Sequence, residues 1–150
     1  MGLRLIFLKK YWHLMIKIFV PDTNCLISAH LFPDSISRTA FDLVIDKGIS
    51  VHSAETLDEF IKTFSRKNFD RYVTAEHRQQ VTSAFEKKSF LIEVTLRINE
   101  CRDKKDNKFL ELAATCGADC IITGDKDLLV LHPFRGIAIL SPRDFIKKFQ

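Results

Sequence analysis

Two aspartates of this chain come just after short apolar runs of the kind that form buried strands. The run at residues 17–20 leads through Pro21 to Asp22, and the run at residues 120–123 leads through Gly124 to Asp125. Because the carboxyl ends of parallel strands meet at one edge of a sheet, where open α/β sheets bind their ligands, both side chains are expected to reach the same crevice. The sequence therefore predicts a carboxylate site at this edge.

Two further acidic residues are expected at the same edge. Glu59 lies about one and a half turns into the helix predicted after the second strand, and Asp106 begins the helix before the fourth. Right-handed crossovers can bring these positions together with the two strand ends. Four carboxylates suit a hard cation such as Mg²⁺ or Mn²⁺, whereas a paired His or Cys set for zinc is missing from the sequence. Crowded carboxylates raise each other's pKa, and a divalent cation would keep them ionised.

Each acidic residue also has a purely structural interpretation. Asp22 and Asp106 stand where helix caps are favoured, and Asp125 could begin a turn with Gly124. Glu59 shares its helix with other acidic residues, of which at least one should face solvent. The joint placement of the four, rather than any single residue, supports a site.

The hydrophobic pattern alternates between strands and helices along the chain. Strands are predicted at 17–20, 49–52, 90–94, 119–123 and 136–140. Helices are predicted at 23–32, 38–47, 54–67, 75–88, 106–116 and 144–149. Ser37, Ser53 and Thr74 are the expected N-caps, with Thr56 standing where a full capping box would have Glu. Strands separated by helices indicate an α/β fold whose parallel sheet is covered on both faces.

Length and composition predict one ordinary domain, at residues 15–150. The chain has 150 residues, 46% of them hydrophobic, which suffices for a core without disulfides. Its four cysteines fit reduced residues in a cytoplasmic protein. Residues 1–14 are interpreted as an N-terminal extension or an upstream translation start, because Lys9 and Lys10 interrupt the apolar run too early for a signal or a membrane anchor.

Charge and aromatic content say little about partners. The formal net charge is +4, and the first seventeen residues supply all of it. The best local phosphate-binding candidates are Arg66, Lys67, Arg71 and Arg78, although such a run can also be a solvated face. The thirteen Phe residues are expected to pack the core rather than to form a base-stacking surface.

Four segments, taken in order, resemble the motifs of the PIN domain family. They are residues 18–29 around Asp-Thr-Asn, residues 57–60, residues 102–113 and residues 122–128, and the resemblance spans roughly residues 16–149. Residues 139–145 also resemble the end of the PIN group that forms the toxins of bacterial and archaeal toxin–antitoxin pairs.

The resemblance implies a three-layer α/β/α PIN-like fold with a central, mainly parallel sheet, and a Mg²⁺- or Mn²⁺-dependent ribonuclease activity. It assigns the acidic cluster to Asp22, Glu59, Asp106 and Asp125. Asn24 and Thr123 would support the cluster by hydrogen bonding, Asp127 and Asp103 would be further carboxylates, and Thr23 would belong to the turn. The implied partners are RNA, an antitoxin protein and a second copy of the chain.

Two other classes of protein remain open. A non-catalytic PIN-like module that binds RNA or protein would keep the fold without the chemistry, since a fold does not fix a function. A phosphotransfer protein could use an aspartate after a strand. A phosphatase of the haloacid-dehalogenase type would have a second Asp where this chain has Asn24, and a receiver domain is matched only in part by Lys126.

Overall fold

The computed structural model describes residues 16–150, so the proposed extension at 1–14 lies outside the described residues. Five strands form one sheet in the order β3-β2-β1-β4-β5, and each pair of neighbours is parallel. The strands are β1 (Lys17–Pro21), β2 (Gly48–His52), β3 (Phe90–Leu91), β4 (Cys120–Ile122) and β5 (Ala138–Leu140). The predicted parallel sheet is therefore confirmed.

Seven α-helices connect and cover these strands within the described residues. They are α1 (Thr23–Leu31), α2 (Ile36–Lys47), α3 (Ala54–Phe64), α4 (Ala75–Lys88), α5 (Asn107–Cys116), α6 (Lys126–Leu129) and α7 (Pro142–Phe149). Two single 3₁₀ turns, Lys67–Phe69 and Lys104–Asp106, precede α4 and α5. The short helix α6 was not predicted, because four residues after a turn carry no helical period.

The central strand β1 places alternate side chains in two cores, one on each face of the sheet. Ile18 and Val20 pack with Ile121 of β4 and with the buried side of α5. Phe19 faces the other way, where its ring centroid lies 5.0 Å from that of Phe145 of α7 in an edge-to-face contact. Burial on both faces explains why the strands are almost wholly apolar. The three-layer α/β/α arrangement is confirmed.

Two helix starts differ from the sequence prediction. Ser35, not Ser37, caps α2, and its hydroxyl accepts a hydrogen bond from the Arg38 amide at 3.0 Å. A capping box does form at α3, because Thr56 Oγ1 accepts from the Ser53 amide at 2.9 Å and thus replaces the usual Glu. Threonine is long enough to close the box when its rotamer points back toward the cap.

The remaining differences lie at the ends of elements. Strand β3 stops at Leu91 rather than residue 94, since its neighbour β2 ends at His52 and offers no further strand to pair with. Helix α3 ends at Phe64 instead of continuing to Lys67. Prediction and structure differ by no more than two residues at the other strand and helix boundaries, as expected for fraying ends.

Gly48 begins β2 at a point where the two central strands approach closely. A Cβ atom at this position would lie 2.3 Å from the carbonyl oxygen of Lys17 in β1. Since backbone cannot yield that far without separating the strands, only glycine fits here. Gly117 has a different role, because its φ of 65° is the left-handed conformation that ends α5.

Two predictions about the chain as a whole can be compared with the described residues. Cys25, Cys101, Cys116 and Cys120 are all buried, and none of them forms a disulfide within the described residues, as expected of reduced cysteines. Among residues 16–150, no helix is both long and apolar enough to cross a bilayer.

Candidate active site

All four acidic residues singled out from the sequence line one cleft at the carboxyl edge of the sheet. The cleft has a volume of about 180 Å³, and Asp103 also lines it. Asp22 follows β1, Asp125 follows β4, Glu59 lies on α3, and Asp106 ends the 3₁₀ turn before α5. Strands β1 and β4 are neighbours in the sheet, which brings the first two together.

Asp22 is held by hydrogen bonds from two directions. One carboxylate oxygen, Oδ1, accepts from the Cys25 amide at 2.9 Å and so caps α1, and Oδ2 accepts from the Thr123 hydroxyl at 2.5 Å. Burial raises the pKa of Asp22, the two hydrogen bonds oppose this rise, and the charge of Asp125 adds to it. Asp22 is therefore both a helix cap and a wall of the cleft.

Asp125 and Asp106 face the same space from neighbouring elements. Asp125 caps α6, because its Oδ1 accepts from the Asp127 amide at 2.8 Å, and its own amide donates to the Thr123 hydroxyl oxygen at 2.9 Å. Burial raises the pKa of Asp106 to about 7, with hydrogen bonding and charge of the Asp125 carboxyl as the next causes. The charges of Asp103 and Glu59 raise it further.

Glu59 is engaged on both carboxylate oxygens by its own protein. The Lys108 ammonium lies 2.7 Å from Oε1, and the Thr23 hydroxyl donates a short hydrogen bond to Oε2. The Glu59 and Lys108 side chains are each about 20% exposed. Because the pair is shielded on most sides, its attraction is screened less than that of a surface ion pair. Glu59 thus has a counter-charge that Asp106 lacks.

The predicted supporting residues occupy three kinds of position. Thr123 joins Asp22 to the Asp125 amide, as described above, and Asn24 is exposed on α1 and lines the cleft. Asp103 accepts from the Lys105 amide at 3.3 Å and caps the 3₁₀ turn before α5. The Asp127 side chain does not line the cleft, and only its backbone amide contributes, to Asp125.

Basic residues reach the cleft from two loops. Arg66, which follows α3, and Lys105 both line it. Lys67 and Arg71, predicted with Arg66 as RNA contacts, do not line it. Arg78 forms an ion pair with Asp70, with 2.7 Å between Nη2 and Oδ1. The cleft is therefore acidic at its base and carries cationic side chains on its lining.

A PIN domain family model matches residues 19–127, which include every acidic residue of the cleft. This chain belongs to the PIN domain family. The family prediction is confirmed over more than two thirds of the sequence. It agrees with the parallel sheet and with the position of the cleft at the ends of β1 and β4.

Two comparisons place this PIN domain among known proteins. An uncharacterized protein of Methanocaldococcus jannaschii is 31% identical over 154 residues, covering 95% of this chain and 97% of the relative. A chain in the crystal structure of VapBC2 from Rickettsia felis, bound to a DNA fragment from its promoter, superposes with a TM-score of 0.56. That match covers 81% of this chain and 96% of the other at 13% identity, and it supports the fold.

The carboxylate oxygens that line the cleft are the type of donor that a hard divalent cation prefers. Within residues 16–150 no three acidic, His or Cys side chains converge at metal-ligand geometry. Asp106 Oδ2, however, is buried and has no hydrogen-bond partner in the described part of the chain. Buried polar atoms are normally paired, so an orphaned carboxylate oxygen beside other carboxylates is a place where a cation would be favourable.

Sequence reasoning missed three residues of the site, one of which is Lys105 on the cleft lining. Thr23 was assigned to the turn, but it is the first residue of α1 and its hydroxyl binds Glu59. Lys108 was not singled out at all, although it forms the ion pair with Glu59. A lysine two positions after Asp106 carries no motif of its own, and only the packing of α5 beside α3 brings it to Glu59.

Proposed function

We propose that this PIN domain is a metal-dependent endoribonuclease that hydrolyses RNA phosphodiester bonds. The observation that carries the proposal is the cleft shared by Asp22, Glu59, Asp106 and Asp125, in which the buried Oδ2 of Asp106 has no protein partner. Oxygen ligands of this kind select Mg²⁺ or Mn²⁺. A bound ion of this type would polarise the scissile phosphate and lower the pKa of an attacking water.

The residues of the cleft have different roles in the proposed reaction. Asp22, Asp106 and Asp125 would hold the cation, and the Thr123 hydroxyl links Asp22 to the start of α6. Glu59 adds a fourth carboxylate to the cleft, and Asn24 and Asp103 supply further oxygen atoms to its lining. Arg66 and Lys105, which line the cleft, attract and position the phosphate backbone of the substrate.

The proposed biological role is that of the toxin in a toxin–antitoxin pair. The resemblance of residues 139–145 to the toxin group supports it, as does the fold shared with a chain of the VapBC2 structure. The proposal includes a cognate antitoxin protein, a homodimer and action in the cytoplasm. It places the nuclease in residues 15–150 and regards residues 1–14 as an extension.

Cleavage of RNA by paired variants tests the nuclease. Wild-type protein with Mn²⁺ should cleave a mixture of total RNA, and EDTA should stop it. Asp22→Asn and Asp106→Asn should abolish cleavage while the far-UV circular dichroism spectrum stays unchanged. Asp58→Asn is the matched control, because Asp58 lies on α3 beside Glu59 yet pairs with Lys62 on the surface. Retained cleavage in both site variants would overturn the proposal.

Growth assays test the role as a toxin. Induced expression should arrest growth, and co-expression of the protein encoded by the neighbouring reading frame should restore it. Arrest by wild-type protein but not by Asp22→Asn would tie toxicity to the cleft. Equal arrest by both would separate the toxic effect from the chemistry.

A non-catalytic binding module is the second candidate, and one observation favours it. Both oxygens of Glu59 are bound by Lys108 and Thr23, and both oxygens of Asp22 accept from Cys25 and Thr123, so two of the four carboxylates have no oxygen without a protein partner. Isothermal titration calorimetry with Mn²⁺ distinguishes the two candidates. Heat of binding that disappears in Asp106→Asn supports the nuclease, and the lack of any heat in wild-type protein supports the module.

A further inference from the structure

Two exposed aromatic rings meet on the surface although they come from distant parts of the chain. Among the Phe and Tyr residues of 16–150, Phe32 and Tyr72 are the exposed ones, at 40% and 47%. Their ring centroids lie 5.3 Å apart in an edge-to-face contact. The guanidinium of Arg71 stacks over the Tyr72 ring at 4.8 Å from its centroid. The three side chains are called the aromatic platform below.

The aromatic platform differs from every other cluster of rings in the described chain. Phe60, Phe64 and Phe85 are fully buried and pack against one another as core. Tyr72, by contrast, keeps nearly half of its surface exposed after both of its contacts. The sequence predicted no such surface, because forty residues separate the two rings and only folding brings them together. Exposed aromatic rings beside an arginine are the usual means of stacking unpaired nucleobases.

The aromatic platform connects to the acidic cleft along two elements. On α1, Asn24 lines the cleft, Ser28 lies one turn further along the same side, and Phe32 follows the helix as its extended C-cap residue. The rise from Asp22 to Phe32 is about 15 Å. On the other element, Arg66 lines the cleft and Tyr72 follows it six residues later.

Residues 66–73 form a compact turn rather than an open loop. The Phe69 amide donates to the Arg66 carbonyl at 3.1 Å, and the Tyr72 amide donates to the Phe69 carbonyl at 3.0 Å. Arg78 of α4 braces the turn by donating to the Arg66 carbonyl at 3.3 Å and to Asp70 at 2.7 Å. The platform is therefore held at a fixed distance from the cleft, which favours binding at little cost in ordering.

Charge identifies the occupant as a nucleic acid. Arg66, Lys67 and Arg71 are exposed cations of this turn, and its single acidic residue, Asp70, is neutralised by Arg78. Phosphates complement such a turn, and bases complement the rings. The bases of duplex RNA are stacked inside the helix and cannot reach a flat ring, whereas those of a single strand can.

We infer that Phe32, Arg71 and Tyr72 stack an unpaired base of single-stranded RNA whose backbone runs past Arg66 into the acidic cleft. This inference deepens the proposed function, on which it rests, by adding a base-stacking subsite outside the acidic cleft. Tyr72 is the central ring, Phe32 supports it edge-on, and Arg71 adds a cation that also attracts the adjoining phosphate. Lys67 contributes to the salt-dependent part of the binding.

Fluorescence anisotropy in EDTA tests this inference without any cleavage. The probes are a labelled single-stranded RNA oligonucleotide and a perfectly paired RNA duplex of the same length. Tyr72→Leu should weaken binding of the single strand by about tenfold or more, while Tyr72→Phe should retain it. Arg71→Gln should lower the dependence of log affinity on log salt by about 0.7. Leu91→Ala is the matched control, because Leu91 is equally exposed, at 42%, on β3.

Several outcomes would overturn the inference. They are equal affinity of wild-type protein for single strand and duplex, unchanged single-strand binding by Tyr72→Leu, or a fall with Leu91→Ala as large as with Tyr72→Leu. A shift from dimer to monomer in Tyr72→Leu with RNA binding intact would instead make the rings a protein interface. Ring-dependent binding without Mn²⁺-dependent cleavage would overturn only the nuclease, and cleavage without ring dependence would overturn only the platform.

Discussion

The two sides of the acidic cleft differ in how their carboxylates are compensated. On the α3 side, Glu59 is neutralised by Lys108 and hydrogen bonded by Thr23. On the side of β4 and α5, Asp106 has a buried oxygen without a partner and a pKa raised to about 7, with Asp125 close by. Among the described residues, Glu59 thus has an ion-pair partner, whereas Asp106 and Asp125 form no ion pair. The Asp106 side is where an external cation would gain the most.

The largest expected effect is on the pH dependence of metal binding. Since Asp106 holds a proton up to about pH 7, a metal ion must displace that proton to bind at lower pH. We expect Mn²⁺ affinity to rise about tenfold per pH unit from pH 5 to 7 and to level off above pH 7. Calorimetric titrations at several pH values measure this. A Mn²⁺ affinity that does not change with pH below pH 7 would contradict the proposed difference between the Glu59 and Asp106 sides of the cleft.

The second prediction concerns the stability of the metal-free protein. The folded state keeps the Asp106 proton up to about pH 7, whereas the unfolded chain releases it near the ordinary value of 3.8. The folded state therefore binds more protons between these values, and the contribution of Asp106 to the free energy of unfolding falls as pH rises. Asp106→Asn should be more stable than wild type at pH 8, by about 1–3 kcal/mol, and similar to it near pH 4.

Urea unfolding in EDTA at pH 4, 6 and 8 provides the measurement. Glu59→Gln is the matched control on the compensated side, and it should show no such gain, because it leaves Lys108 without its carboxylate. A gain at pH 8 for Glu59→Gln equal to that for Asp106→Asn would mean that the two sides are alike.

The third prediction removes the internal cation. Lys108→Met should lower the free energy of unfolding of the metal-free protein at pH 8 by about 1 kcal/mol, because Glu59 then lacks its counter-charge. Lys108→Arg should restore most of the loss. Addition of Mn²⁺ should also narrow the difference between Lys108→Met and wild type, since the ion partly replaces the missing charge. If Lys108→Met were as stable as wild type in EDTA, the ion pair would contribute nothing.

The smallest effects are expected from the two threonines. Thr23→Val and Thr123→Val each remove one hydroxyl that donates to a carboxylate, on opposite sides of the cleft. Each should cost about 0.5–1 kcal/mol of stability, with Thr123→Val at the upper end, because its hydroxyl also accepts from the Asp125 amide. Thermal unfolding in EDTA measures both. Thr39→Val on the exposed part of α2 is the control.

Sequence alone was sufficient for the order of the strands and of every helix except α6, and for bringing four carboxylates to one cleft. Asp22 and Asp125 follow strong strand patterns, and parallel topology then brings them together without any knowledge of side-chain contacts. The ion pair between Lys108 and Glu59 was beyond reach, because it depends on how α5 packs beside α3. The contact between Phe32 and Tyr72 was missed for the same reason, since it joins positions forty residues apart.

Local errors had local causes. Ser35 and Ser37 are equally good caps by residue type, and the hydroxyl of Ser35 is favoured by a second bond, to the Phe32 carbonyl at 2.8 Å. Strand β3 was predicted too long because the prediction used only its apolar residues and did not consider where β2, its pairing partner, ends. Residue propensity indicates that a segment can form a strand, whereas the length of the strand also depends on the length of the neighbouring strand.

Gly48 lies at the opposite end of β2 from the cleft, yet the geometry of the cleft depends on it. A methyl group there would meet the Lys17 carbonyl at 2.3 Å and force β1 and β2 apart. Those two strands lead respectively to Asp22 and to α3, which carries Glu59. The distance between Asp22 and Glu59 therefore depends in part on glycine at position 48, at the other end of the sheet. A substitution there would change the geometry of the cleft without contacting it.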